Sequence, residues 1–170
     1  DAHRSNLIRI AWSGARHLQR HRETVWDGQV VLDKGRILRA EGYAFDSPAE
    51  GITFCNEQRV EWRSITTGDT DGILLELDAP PEARLHFSSP PKSFSLALRD
   101  IQDEPRVYEA GGIRQQVVVQ RVSGAAGPRN VEFSYTDTAM PAGCQAYYVR
   151  VLQQNGAMAW SSPLYITREW

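Results

Sequence analysis

Ile73-x-Leu75-x-Leu77 places an apolar side chain at every second position, and the same two-residue period recurs along the chain. It returns in Ile8-x-Ile10-x-Trp12, Val60-x-Trp62, Phe94-x-Leu96-x-Leu98, Val131-x-Phe133-x-Tyr135 and Tyr147-x-Val149-x-Val151. Successive side chains of a strand point to opposite faces, so this pattern marks strands with one buried face. The runs are short and stop at turn-forming clusters such as Asp33-Lys34-Gly35, Thr67–Gly72, Pro80-Pro81 and Pro90-Pro91. No stretch carries the apolar stripe of a docked helix. Ten to twelve such strands predict an all-β chain. The architecture expected is an antiparallel β-sandwich with Greek-key links, immunoglobulin/fibronectin-like or jelly-roll-like.

The first strand is expected over about Leu7–Ser13, and others over Thr24–Leu32, Arg36–Phe45, Arg59–Thr66 and Ile113–Val122. Arg84–Phe87, bracketed by prolines, reads as an edge strand. Tyr147–Ile166 reads as a hairpin about Asn155-Gly156, residues that tolerate the positive φ of a tight turn. Trp12, Trp62, Leu75, Leu96, Phe133, Tyr147 and Val149 form the expected core. Full burial of each is worth about 1.5–3 kcal/mol. Tyr147 fits a tyrosine corner, whose hydroxyl reaches back to upstream backbone. Gln145 stands where that motif usually has threonine, so an ordinary strand aromatic fits equally well. No stretch stands out as a linker, and residues 1–170 read as a single domain. The start at Asp1-Ala2-His3 reads as a fragment of a longer protein.

A formal net charge of −2 gives no field to draw in nucleic acid. The absence of an apolar run of about 18 residues argues against a membrane span. Cys55 and Cys144 sit in TFCNE and AGCQA, without metal-ligand spacing, and read as unpaired, partly buried thiols, with a single disulfide between them as the alternative.

Candidate chemistry is sparse. His17 and His21 are four apart, but Leu18 follows the first where a zinc hydrolase needs glutamate. Arg16, Arg20 and Arg22 would repel a cation there. The same three arginines are the candidate contacts for an anionic or small polar ligand through paired N–H donors, with a solvated basic loop as the alternative. Asp69-Thr70-Asp71-Gly72 has the opening of a calcium loop without its later oxygens, and a hairpin tip explains it equally. Five tryptophans, Trp12, Trp26, Trp62, Trp160 and Trp170, invite sugar stacking. Trp12, Trp62 and Trp160 sit inside strand patterns, which leaves Trp26, beside Asp27-Gly28, as the ring expected at the surface and the fourth ligand candidate. No catalytic residue, metal ligand or cofactor is nominated.

Two stretches, IRIAWSGARHLQRHRETVWDG (8–28) and YYVRVLQQNGAMAWSSPLYI (147–166), resemble the C-terminal β-rich region of a bacterial family. Its members carry an N-terminal PHP-like (polymerase and histidinol phosphatase) metal-dependent phosphoesterase domain. Tyr148-x-Arg150-x-x-Gln153 followed by Ala159-Trp160-Ser161-Ser162-Pro163 is the most specific part of the likeness. None of His3, His17, His21 and His86 falls in an H-x-H or comparable run, so no metal ligand carries over. The resemblance implies a non-catalytic accessory module that docks on, or shapes the cleft of, an upstream hydrolase domain of the same chain. The alternative is a carbohydrate- or other ligand-binding module.

Overall fold

The computed structural model describes residues 7–15, 23–122, 131–152 and 158–168. The chain divides into two compact units, Asp1–Gly127 and Pro128–Trp170, where the sequence reads as one domain.

The first unit is an antiparallel sandwich. One sheet holds β1 (Leu7–Ala15), β4 (Arg36–Tyr43), β8 (Thr70–Asp78), β11 (Arg106–Glu109) and β12 (Ile113–Arg121), in the order β11-β12-β1-β8-β4. The other holds β3 (Gly28–Leu32), β5 (Gly51–Cys55), β6 (Arg59–Arg63), β9 (Arg84–Ser88) and β10 (Ser93–Ala97), in the order β10-β9-β3-β6-β5. Two short strands, β2 (Thr24–Val25) and β7 (Ile65–Thr66), pair with each other. Arg84–Ser88 is an interior strand, hydrogen-bonded to β3 and β10 on its two sides, and not the expected edge. The neighbouring prolines lie outside it and remove none of its donors.

Alternation places the core. In β8, Ile73, Leu75 and Leu77 are buried while Glu76 faces outward. They meet Ile8, Ile10 and Trp12 of the same sheet and Val30, Leu32, Val60, Trp62, Leu85 and Phe87 of the opposite one. An aromatic series crosses between the layers. Trp12 of β1 stacks on Trp62 of β6, Trp62 leans on Phe87, Phe87 stacks on Phe94, and Phe94 of β10 stacks on Tyr108 of β11. Such contacts add about 0.5–1.5 kcal/mol each beyond burial.

β1 ends in a bulge between Ser13 and Ala15, with Gly14 at φ +109°. A Cβ there would lie 2.3 Å from the Gln115 Cα, so glycine is what lets β12 approach.

The second unit contains β13 (Gly143–Tyr147) paired with β16 (Leu164–Arg168), and β14 (Arg150–Leu152) paired with β15 (Met158–Trp160). These ladders are two parts of the expected hairpin; its Asn155-Gly156 turn lies outside the described residues. Tyr147 faces Leu164 and Arg150 faces Trp160, so one strand advances three residues while the other advances four. The extra residue sits at Ser161–Pro163, where the Ser161 N–H donates to Val149 O and the Val149 N–H donates to Ser161 Oγ.

Three expected core members of this unit are not core. Phe133 is 64% exposed, Val149 is exposed and Tyr147 is only half-buried. Val131–Thr136, expected as a strand, is irregular. Alternation there records amphiphilicity without a second layer to cover it.

Candidate functional site

The inward parity of the strands does not stop where their apolar residues stop. Val60, Trp62, Ser64 and Thr66 are all buried, and so are Asp71, Ile73, Leu75 and Leu77. Polar side chains are thereby carried into the end of the sandwich, where each needs a partner. Ser64 is the hub. Its Oγ accepts from the Trp12 indole N–H at 2.7 Å and donates to Asp71 Oδ2 at 2.6 Å. Its backbone N–H donates to Asp27 Oδ1 at 3.0 Å, and its carbonyl accepts from the Trp26 N–H at 2.8 Å.

Trp26, expected at the surface, is 0% exposed. Its ring N–H donates to Thr66 Oγ1, which in turn donates to the Gly14 carbonyl. Asp27-Gly28, the reason to expect exposure, makes no turn there: Gly28 begins β3, and the Asp27 carboxylate accepts from the Ser64 N–H. The Trp62 indole N–H donates to Trp26 O at 2.7 Å. The Gln115 amide donates to Thr24 Oγ1 at 3.3 Å, both side chains being buried. Among the described residues, the three buried indoles are therefore bound into the frame and offer no sugar platform; Trp170 lies outside those residues.

Outside this network lies an open cleft of 430 Å³, lined by Asp27, Asp46, Glu50, Arg63, Ser64 and Asp69 among others. Glu50 Oε1 accepts the Ile65 N–H at 2.6 Å, while its buried Oε2 has no hydrogen-bond partner. Asp69 Oδ1 accepts the Thr67 N–H at 2.6 Å, which closes the turn before β8. Asp69 thus lines the cleft while Asp71, two residues on, is wholly buried. The two carboxylates serve a turn and the interior, and do not form the start of a calcium loop. Among the described residues, no three His, Cys, Asp or Glu side chains are grouped to hold a metal ion.

Among the described residues, Asp71 is the group most altered by its surroundings. Burial raises its pKa from 3.8 to about 7; the Ser64 hydroxyl opposes this, and Glu50, Asp69 and Asp46 reinforce it. Its Oδ1 is buried without a partner. The arrangement can hold a proton near neutrality. The Ser64 hydroxyl that donates to Asp71 is itself wholly buried, and Ser13 Oγ donates to Arg114 O.

In the second unit Tyr147 does bend back upstream, but to a side chain. Its hydroxyl donates to Asp137 Oδ2 at 2.7 Å, while Asp137 Oδ1 accepts the Ala139 N–H at 2.9 Å. That hydroxyl, and then the Ala139 N–H, hold the Asp137 carboxylate below its ordinary range.

Arg16, Arg20 and Arg22, and with them His17 and His21, lie outside the described residues. Cys55 and Cys144 are free, and both are exposed where partial burial is expected. No helix of the described residues is long and apolar enough to cross a membrane. No protein-family model, curated protein or solved structure matches this chain.

Proposed function

We propose that the chain is a non-catalytic accessory module of a larger hydrolase and docks on the catalytic domain through its C-terminal unit. The observation that carries this reading is the apolar surface of that unit. Phe133, Trp160, Leu164 and Tyr165 are 64%, 57%, 70% and 71% exposed, and Val131, Tyr135 and Met158 are exposed with them. Surfaces this rich in apolar side chains mark sites of association. A unit of this length is also too small to build a full core unaided. The resemblance of residues 8–28 and 147–166 to the β-rich region of PHP-like phosphoesterases names the kind of domain that would cover it. A sugar-binding module is the poorer reading for the first unit, because Trp12, Trp26 and Trp62 are used inside the sandwich; Trp160, whose strand pattern suggests an inward position, is 57% exposed and counts here toward the docking surface.

Hydrogen exchange compared between residues 1–170 alone and the same residues joined to their upstream domain tests the proposal. Protection at 131–135 and 158–168 is expected only in the longer protein. Equal protection in both, or phosphoesterase turnover by residues 1–170 with Mn²⁺ or Zn²⁺, overturns it.

A further inference from the structure

The buried carboxyl of Asp71 has a consequence that is independent of the docking surface. We propose that Asp71 is a proton-operated latch at one end of the sandwich: protonated, it lets β8 close on the β6–β7 segment, and ionised, it loosens that segment and the acid-lined cleft beside it.

The latch joins the two layers. Asp71 belongs to β8 of one sheet, opposite Trp12 of β1, while Ser64 follows β6 of the other. The chain of bonds Trp12 Nε1–H to Ser64 Oγ, and Ser64 Oγ–H to Asp71 Oδ2, spans the gap at 2.7 and 2.6 Å. Asp71 is 0% exposed and only one of its two carboxyl oxygens has a partner. A buried carboxylate with one donor is poorly compensated, because roughly two to three donors are needed to hold such a charge comfortably.

The groups around it make ionisation harder. Glu50 and Asp46 approach from the segment before β5, and Asp69 from the turn before β8; all three raise its affinity for a proton. Glu50 itself keeps one buried oxygen without a partner. Across the cleft, Asp27 is held by the Ser64 N–H, and Arg63 is the cation of the lining. β1 contributes the neutral Trp12, and β4 places Tyr43 opposite Gly72. The carboxyl therefore titrates near neutrality, at about 7. On ionisation the proton passes to bulk water, and the fold must either bury a charge held by one hydroxyl or open to hydrate it. Opening falls on the bonds beside Ser64: Trp26 N–H to Ser64 O, Ser64 N–H to Asp27 and Ile65 N–H to Glu50.

The test follows the Asp71 carboxyl carbon and the Trp12 indole N–H by NMR from pH 4 to 9 in residues 1–170. Both are expected to titrate together near neutrality. Over the same range, protection of the Trp26, Ser64 and Ile65 amides should fall at least about tenfold beyond the intrinsic exchange rate. Asp71→Asn should abolish the Trp12 titration and flatten the protection. An Asp71 carbon that titrates near 4 overturns the proposal without need of any variant. A Trp12 titration that persists unchanged in Asp71→Asn overturns it as well. Neither outcome bears on whether the C-terminal unit docks on another domain.

Discussion

Trp12 and Trp62 stack with ring centroids 4.6 Å apart and planes 19° from parallel, one indole from each sheet. Both are essentially buried, and each ring N–H has a partner, Ser64 Oγ for Trp12 and Trp26 O for Trp62. The pair therefore joins the layers by dispersion at the ring faces and by hydrogen bonds at the ring edges.

Trp12→Ala empties the centre of the sandwich and leaves Ser64 without its donor. A loss of about 3–5 kcal/mol is expected from urea unfolding. Trp12→Phe fills most of the space and should cost less, the remainder being the missing N–H. Equal losses for the two variants would show that the hydrogen bond outweighs the packing.

Ser64→Ala removes the hydroxyl that favours the Asp71 carboxylate, so the Asp71 pKa should rise further above about 7. The folded value lies above the ordinary 3.8, which means that the fold prefers the protonated acid. Its contribution to stability is full below 3.8 and is lost as pH rises through about 7. In the variant this decline should extend to higher pH, read from urea midpoints between pH 4 and 9. Ser64→Cys, with a weaker donor, should fall between the two.

Gly14→Ala forces a Cβ onto a φ of +109° and to within 2.3 Å of the Gln115 backbone. Destabilisation of more than about 1 kcal/mol is expected, with loss of the bulge. Amide shifts confined to 13–15 and 113–116 would locate the damage; an unchanged melting temperature would contradict the packing described.

Tyr147→Phe removes the hydroxyl that holds Asp137 ionised, so the Asp137 carboxyl should titrate closer to its ordinary value. Because that carboxyl is depressed in the fold, its stabilising effect is present above the ordinary value and fades as pH falls. Carboxyl NMR of the two proteins measures the shift directly.

Much of the first unit was legible in the two-residue period, because a strand with one covered face leaves no other record in sequence. The period even extends to Asp71, in phase with Ile73, Leu75 and Leu77, and to Ser64 and Thr66, in phase with Val60 and Trp62. Parity alone could have placed these polar groups inside. Trp26 is likewise in phase with Val30 and Leu32, although the adjacent Asp27-Gly28 has the composition of a surface turn. Phe133 and Val149 are exposed despite their alternation, which states which face is apolar and not whether anything covers it. The boundary between the units had a compositional mark in Ser123-Gly124-Ala125-Ala126-Gly127-Pro128, a run without one bulky side chain. Strand order and the hub role of Ser64 were not legible, since both depend on pairings between residues far apart in the chain.

The stacked indoles also give the molecule an optical signature. Two near-parallel chromophores at 4.6 Å couple their transitions, so the folded sandwich should show a split circular-dichroism band that vanishes once the sheets part. Circular dichroism can thus follow the separation of the two layers without a label.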